Sequence, residues 1–136
     1  MYETFDHTAD LGLRIQAQSL NELFAEAGKA LFSVLVENSE TIEPRERFSL
    51  SVFGTDREYL LFDWLKELLY RFEVEHRLYC RFDVAVSNAG LEATIWGETL
   101  DRARHELGHE VKAITYHGLK VEQGQDGWLA EVIVDI

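Results

Sequence analysis

The sequence contains little cysteine, little proline and no long apolar segment. Cys80 is the only cysteine and Pro44 the only proline among its 136 residues. A single cysteine excludes an internal disulfide bond, and no apolar run approaches the ~20 residues that a membrane-spanning helix requires. The first ten residues, MYETFDHTAD, include no apolar stretch of the kind that a signal peptide needs. These absences predict a cytoplasmic protein without a membrane segment.

Basic residues are also scarce. The chain carries 13 Lys and Arg against 25 Asp and Glu, which gives a net charge of −12 with neutral histidines. Strong direct binding to nucleic acid or to an anionic membrane is disfavoured, because such binding depends on Lys and Arg. A basic protein or a cation is the more suitable partner. With 46% hydrophobic residues, the chain is predicted to form a single folded domain over residues 1–136.

Periodicity predicts seven strands and two helices. Apolar residues alternate with polar ones, as in strands with one buried face, at 11–15, 48–52, 78–86, 91–95, 111–115, 119–121 and 128–136. Ser19 is the expected N-cap of the first helix and Asp56 that of the second. The apolar stripes of these helices run to Leu35 and to about Glu75.

Short turns predict how the strands pair. Residues 88–90 and 124–127 are rich in Gly, Asn and Asp and join neighbouring strands as hairpins. The predicted fold class is therefore α+β, a mainly antiparallel β-sheet structure with two amphipathic helices packed against one face. Cys80 has the same parity as Phe82 and Val84, so the alternation places its thiol in the core as an unreactive side chain.

One motif suggests a zinc hydrolase. His105-Glu106-Leu107-Gly108-His109 matches H-E-x-x-H, in which two histidines one helical turn apart bind zinc and the glutamate activates water. The motif requires a helix, yet Gly108 lies inside it and a predicted strand begins two residues after His109. A zinc-dependent hydrolase using His105, Glu106 and His109 is kept as the alternative function.

Carboxylates occur near both ends of the chain. Asp6-His7-Thr8-Ala9-Asp10 precedes the first predicted strand and is most simply interpreted as a polar turn. The last predicted strand ends in Asp135 and Ile136, whose α-carboxylate adds a second anionic group. If the two ends meet, three carboxylates converge, and like charges at close range are unfavourable without a compensating cation. Ca²⁺ or Mg²⁺, which prefer oxygen ligands, would suit such a site.

A dense polar segment lies between these ends. Residues 97–105 are charged, and Lys112, Tyr116 and His117 follow closely. A solvated connector and a functional segment both fit this composition.

Five separated blocks resemble the archease family over nearly the whole chain and in the same order. They are Asp6 to Gly12, Asp63 to Tyr70, Gly97 to His105, Glu110 to His117 and Ala130 to Ile136. Several ordered blocks are a more specific signal than any single motif. The chain is therefore identified as similar to archeases.

The resemblance implies a small acidic α+β protein that is an accessory factor of the GTP-dependent tRNA-splicing RNA ligase. That ligase joins 3′-phosphate or cyclic-phosphate ends to 5′-hydroxyl ends. Archeases promote formation of the ligase–guanylate intermediate and thereby multiple turnover, without being ligases themselves. A chaperone-like role toward an RNA methyltransferase is the family's older alternative.

The resemblance also implies a site. A divalent cation, usually calcium with Mg²⁺ or Mn²⁺ as alternatives, would bind at Asp10, Asp135 and Ile136. Further residues match the family's blocks as candidates for activating the ligase or supporting the site: Lys112, His7, His117, Asp101 and His105. Lys112 is the candidate for contacting phosphate or the ligase.

Overall fold

The computed structural model describes residues 1–7 and 10–136, and in these ranges it contains eight strands and two α-helices. The strands are β1 Tyr2–His7, β2 Asp10–Ala17, β3 Glu46–Phe53, β4 Arg77–Ser87, β5 Gly90–Thr99, β6 Ala113–Ile114, β7 Lys120–Gly124 and β8 Gly127–Asp135. The helices are α1 Leu20–Leu35 and α2 Arg57–Glu75, and a short 3₁₀ turn covers Ser39–Thr41. The predicted polar turn through Thr8 and Ala9 lies outside the described residues.

The strands form two antiparallel sheets. The larger has the order β1-β2-β8-β6, with β7 also paired to β8, and the smaller has the order β3-β5-β4. Helix α1 contacts β2 of the larger sheet and β4 of the smaller one, and α2 also contacts strands of both. The Trp64 indole N–H donates a buried 2.9 Å hydrogen bond to the Phe24 carbonyl, which joins the two helices. The predicted α+β class with antiparallel strands and two packed helices is confirmed.

Both helices begin at the predicted caps. The Ser19 hydroxyl accepts from the Glu22 N–H at 3.2 Å, and one Asp56 carboxylate oxygen accepts from the N–H groups of Glu58 and Tyr59. These side chains satisfy N–H groups that have no partner inside a helix. Within the described ranges, neither helix is long and apolar enough to span a membrane.

Two strand predictions differ from the structure. Strand β1 was not predicted, although it pairs residue for residue with β2 from Tyr2 opposite Ile15 to His7 opposite Asp10. Its side chains are mostly exposed, so they carry no alternation of buried and exposed residues. The strand predicted at 111–115 is confined to Ala113–Ile114, because only these residues pair with β8 as a ladder.

The parity argument for Cys80 is only partly right. A β-bulge between Tyr79 and Arg81 shifts the register, so the consecutive residues Leu78 and Tyr79 are both buried and Cys80 is half-buried. Gly97 is required opposite this bulge, because a Cβ there would lie 1.8 Å from the Leu78 carbonyl oxygen. Burial still raises the pKa of the Cys80 thiol, which disfavours the reactive thiolate.

Candidate functional site

The register of the larger sheet brings the two ends of the chain together. Strands β2 and β8 pair antiparallel along their lengths, and the last pair of this ladder is Asp10 opposite Asp135. Directly opposed residues lie on the same face with Cβ atoms about 5 Å apart, so two carboxylates adjoin there. We call Asp10, Asp135 and the adjoining Ile136 the acidic edge.

Two histidines flank the acidic edge. His7 lies opposite Asp10 in the β1–β2 ladder, and its Nδ1 atom is 3.8 Å from an Asp10 carboxylate oxygen. This Nδ1 atom is itself shielded from solvent and has no hydrogen-bond partner among the described residues. The His117 ring meets the His7 ring edge to face, with centroids 5.4 Å apart. The structure therefore groups His7 and His117 with Asp10.

Lys112 and Ile136 are attached to the same end of β8. The Lys112 N–H donates to the Asp135 carbonyl at 2.7 Å, which fixes the lysine beside the acidic edge while its side chain is exposed. The side chain of Ile136 packs partly buried against the core. That packing holds Ile136 next to Asp135.

The donor set of the acidic edge suits a hard cation. In the part of the chain that the structure describes, no three His, Cys, Asp or Glu side chains form a metal-binding group. The side chains of Asp10 and Asp135 therefore supply two carboxylates. Calcium takes six to eight oxygen ligands and completes its shell with water and backbone carbonyls, so adjoining carboxylates fit it.

Asp101 and His105 lie in a different environment. Glu98, at the end of β5, is only 4% exposed and receives hydrogen bonds from the Arg104 guanidinium, the His105 ring and the Glu43 N–H. We call Glu98, Arg104 and His105 the polar cluster. The Arg104 hydrogen bonds are the main cause that lowers the pKa of Glu98 to about 2, and burial opposes this shift.

Hydrogen bonds within the loop determine the position of the His105 ring. Its Nδ1 accepts from the Asp101 N–H at 2.9 Å, and its Nε2 lies 3.0 Å from a Glu98 oxygen. Asp101 in turn accepts from the Ala103 N–H through its side chain. None of the contacts found for Asp101 or His105 in the described chain reaches the acidic edge. Their predicted supporting role therefore does not include contact with the proposed cation site.

The zinc hydrolase alternative was wrong on geometry. Residues 105–109 form no helix, so the two histidines are not on one helical face, and both His105 ring nitrogens already have protein partners. The segment instead covers the end of α1, where the N–H groups of Gly108 and His109 donate to the Leu35 and Val34 carbonyls at 2.9 Å. Helix termini leave such carbonyls without partners inside the helix, so residues 105–109 act as a C-terminal cap.

Comparison with known proteins identifies the family of this chain. The model of the Archease protein family matches residues 2–136. The chain is 38% identical to "Protein archease" of Sulfurisphaera tokodaii over 99% of this chain and 98% of the relative, and 40% identical to that of Pyrococcus abyssi with the same coverage.

Solved structures agree in fold. The solution structure of Methanobacterium thermoautotrophicum protein 1598 superposes with a TM-score of 0.85 at 34% identity, covering 99% of this chain and 98% of that one. A Thermotoga maritima crystal structure, described as "an archease, possible chaperone", has a TM-score of 0.67 at 24% identity over 100% and 98% of the two chains, and supports the fold alone. From the family match across residues 2–136 and these relatives, the chain belongs to the archease family.

Proposed function

We propose that this protein is a non-catalytic activator of the GTP-dependent tRNA-splicing RNA ligase, and that it promotes ligase guanylylation and multiple turnover. Membership of the archease family supports the choice of partner. The observation that carries the proposal is the pairing of Asp10 with Asp135 at the end of the β2–β8 ladder. Two opposed carboxylates are unfavourable in isolation, so their pairing favours a function in which a positive group faces them.

In this proposal the acidic edge holds a divalent cation, calcium first and Mg²⁺ or Mn²⁺ as alternatives. The carboxylates of Asp10 and Asp135 and the α-carboxylate of Ile136 are the protein ligands. Such a cation would neutralise the edge and organise its carboxylates against the ligase. Lys112, exposed at the same end of β8, supplies a donor for phosphate or for a ligase side chain. His7 lies 3.8 Å from Asp10, His117 packs on the His7 ring, and together they support the geometry of the edge.

Charge explains why a ligase would be recognised in preference to its RNA. The chain carries a net charge of −12, which opposes direct binding to a phosphate backbone. An enzyme site that binds GTP and RNA ends must be basic or rich in metal ions to neutralise phosphates. Opposite charges accelerate the encounter of such a site with the acidic edge.

The test is a guanylylation and ligation assay with the purified cognate ligase, GTP and RNA ends, with and without this protein. We expect the protein to raise the rate of guanylate formation and to permit repeated turnover. Asp10→Asn and Asp135→Asn should abolish most of the stimulation. Asp83→Asn is the matched control, because Asp83 is an exposed aspartate on β4 of the other sheet. An unchanged ligase rate with the wild-type protein, or full stimulation by both edge variants, would refute the proposal.

The α-carboxylate is tested separately by appending two glycines after Ile136. This change moves the charge away from Asp135 without altering a side chain. Calcium affinity measured by titration calorimetry should fall at least as far as in Asp135→Asn, and unchanged affinity would remove Ile136 from the ligand set. A chaperone-like role toward an RNA methyltransferase predicts a different result, since substitutions at Asp10 would then leave client binding unaltered.

A further inference from the structure

An exposed group of aromatic rings lies beside the acidic edge. Tyr116 stacks on Phe62 with ring centroids 4.0 Å apart, and Tyr59 meets Tyr116 edge to face at 5.4 Å. Phe62 is buried, whereas Tyr59 and Tyr116 are 58% and 57% exposed. We call these three residues the aromatic ledge. Two neighbouring exposed tyrosines, one of them stacked on a buried phenylalanine, form an apolar patch with polar tips, which is the kind of surface found at interaction sites.

Hydrogen bonds fix the two backbone segments that carry Tyr59 and Tyr116. Tyr59 is in the first turn of α2, where its N–H donates to the Asp56 cap at 3.1 Å. Tyr116 begins a tight turn in which the Leu119 N–H donates to the Tyr116 carbonyl at 3.2 Å, with Gly118 at a φ of +66°. The preceding Thr115 hydroxyl donates to the Ile133 carbonyl at 2.8 Å, which ties the turn to β8. Ring positions fixed in advance lose little entropy when they bind.

The ledge and the acidic edge form one surface. His117 directly follows Tyr116 in the chain, and its ring lies 5.4 Å from the His7 ring, which borders Asp10. The helix adds negative charge, because Asp63 is exposed and lies one helical turn after Tyr59 on the same face of α2. Carboxylates therefore accompany both tyrosines, Asp63 along α2 and Asp10 beyond the His117 and His7 rings.

We propose that the aromatic ledge is a docking site for arginine or lysine side chains on the surface of the RNA ligase. A guanidinium placed over a tyrosine face gains cation–π attraction, and a neighbouring carboxylate pairs with its N–H donors. This inference rests on the proposed function, since it names the chemistry by which the same partner is held. The acidic edge then acts at the ligase's nucleotide site, and the ledge supplies affinity beside it.

The charge pattern selects a basic protein surface over RNA. Nucleobases also stack on tyrosines, but a strand stacked here would bring its phosphates near the carboxylates of Asp10, Asp63 and Asp135, whose charge Lys112 beside the acidic edge offsets only in part. Arginine side chains meet both the rings and the carboxylates favourably. Tyrosine and arginine are also among the residues that contribute most to protein–protein affinity when they meet at an interface.

The experiment measures the affinity of purified ligase for the wild-type protein and for variants of the ledge. The double variant Tyr59→Leu/Tyr116→Leu keeps an apolar group over Phe62 and removes both tyrosine rings. We expect it to bind about 10- to 100-fold more weakly, the range for truncating central interface residues. At saturating concentration its stimulation of guanylylation should match the wild type, because the acidic edge is intact.

Two controls isolate the role of the ring faces. Tyr59→Phe/Tyr116→Phe keeps both rings and should bind within about 3-fold of wild type, because the ring face carries the cation–π attraction. Tyr70→Leu removes another tyrosine of α2 that is 54% exposed, and should bind within about 2-fold of wild type. Circular dichroism and thermal unfolding establish that each variant is folded.

Several results would overturn the inference, and they are distinguishable. Unchanged affinity in the double Leu variant, or equal loss in the double Phe variant, would exclude ring-face docking while leaving the proposed function intact. Binding of a single-stranded RNA oligonucleotide by the wild type, lost in the double Leu variant, would reassign the ledge to RNA. A wild-type protein that neither binds nor stimulates the ligase would refute the proposed function, and this inference with it.

Discussion

The polar cluster and the acidic edge both combine carboxylates with histidine. The fold supplies hydrogen-bond donors to the carboxylate of the polar cluster, whereas it places two like charges opposite one another at the acidic edge. In the polar cluster one buried carboxylate, Glu98, receives donors from Arg104, His105 and Glu43. At the acidic edge two carboxylates, Asp10 and Asp135, oppose one another in adjacent strands. The nearest histidine nitrogen is 3.8 Å from Asp10, too far for a hydrogen bond.

This difference separates a structural role from a binding role. Buried polar groups that have their partners inside the fold hold loops in place, as the polar cluster joins the loop after β5 to Thr41 and Glu43. A pair of like charges without an internal cation stabilises nothing in the isolated chain. Such a pair is explained only by what binds to it. Four predictions test the contrast between the polar cluster and the acidic edge.

The largest effect is expected from removing the buried carboxylate. Glu98→Ala should lower the free energy of unfolding by about 2–4 kcal/mol, because Arg104, His105 and the Glu43 N–H lose their common acceptor. Glu92→Ala is the matched control on the same strand, since Glu92 is exposed, and it should change stability by less than about 0.5 kcal/mol. Urea denaturation at pH 7 measures both. Equal effects of the two substitutions would mean that the polar cluster contributes no particular stability.

The second prediction concerns the stability of the folded protein at acidic pH. The pKa of Glu98 is about 2 in the folded protein against an ordinary value of 4.5, so its ionised form is favoured by folding. This stabilisation is fully present above pH 4.5 and is lost as the pH falls toward 2. Between pH 5 and pH 3 the stability advantage of the wild type over Glu98→Gln should shrink by about 2 kcal/mol.

Denaturation of both proteins across this pH range measures that change, and other carboxylates cancel because both chains contain them. If the stability advantage of the wild type over Glu98→Gln stays constant from pH 5 to pH 3, the pKa of Glu98 is not depressed in the folded state.

The local parts of the fold could be predicted from sequence because their signals are local. Ser19 and Asp56 cap the helices through residues two or three positions away, so their spacing predicts both helix starts. Strand β1 lacked such a signal, since its side chains are mostly exposed and its pairing with β2 decides its conformation. The bulge at Cys80 was missed for a similar reason, because it depends on the close approach of Gly97 from another strand.

The candidate site also contains parts that could be predicted from sequence and parts that could not. Asp10 and Asp135 could be proposed as neighbours, but their pairing depends on the register of β2 and β8, which residues far apart in the chain determine. The role of Glu98 could not be seen, because in sequence it begins a charged segment and its partners come from two loops. The H-E-x-x-H match misled for the opposite reason, since the spacing is meaningful only on a helix.

The smallest effect is expected at the acidic edge. In buffer that contains a metal chelator and little salt, Asp10→Asn should raise the free energy of unfolding by about 0.2–1 kcal/mol. The reason is that the substitution removes the repulsion between the carboxylates of Asp10 and Asp135. Asp135→Asn should act alike, and the double variant should gain no more than either single one, since the repulsion is already gone. Asp6→Asn, an exposed aspartate on β1, is the control and should be nearly neutral.

Calcium should reverse the order of stability of the wild type and the variants of the acidic edge. Added Ca²⁺ raises the stability of whichever chain binds it, so the wild type should gain in thermal denaturation and the edge variants should gain little. The wild type would then be less stable than Asp10→Asn without calcium and more stable with it. Loss of stability on substituting Asp10 in the chelator, to the extent seen at Glu98, would mean that the edge is a satisfied structural cluster after all. The contrast between the two regions would then disappear.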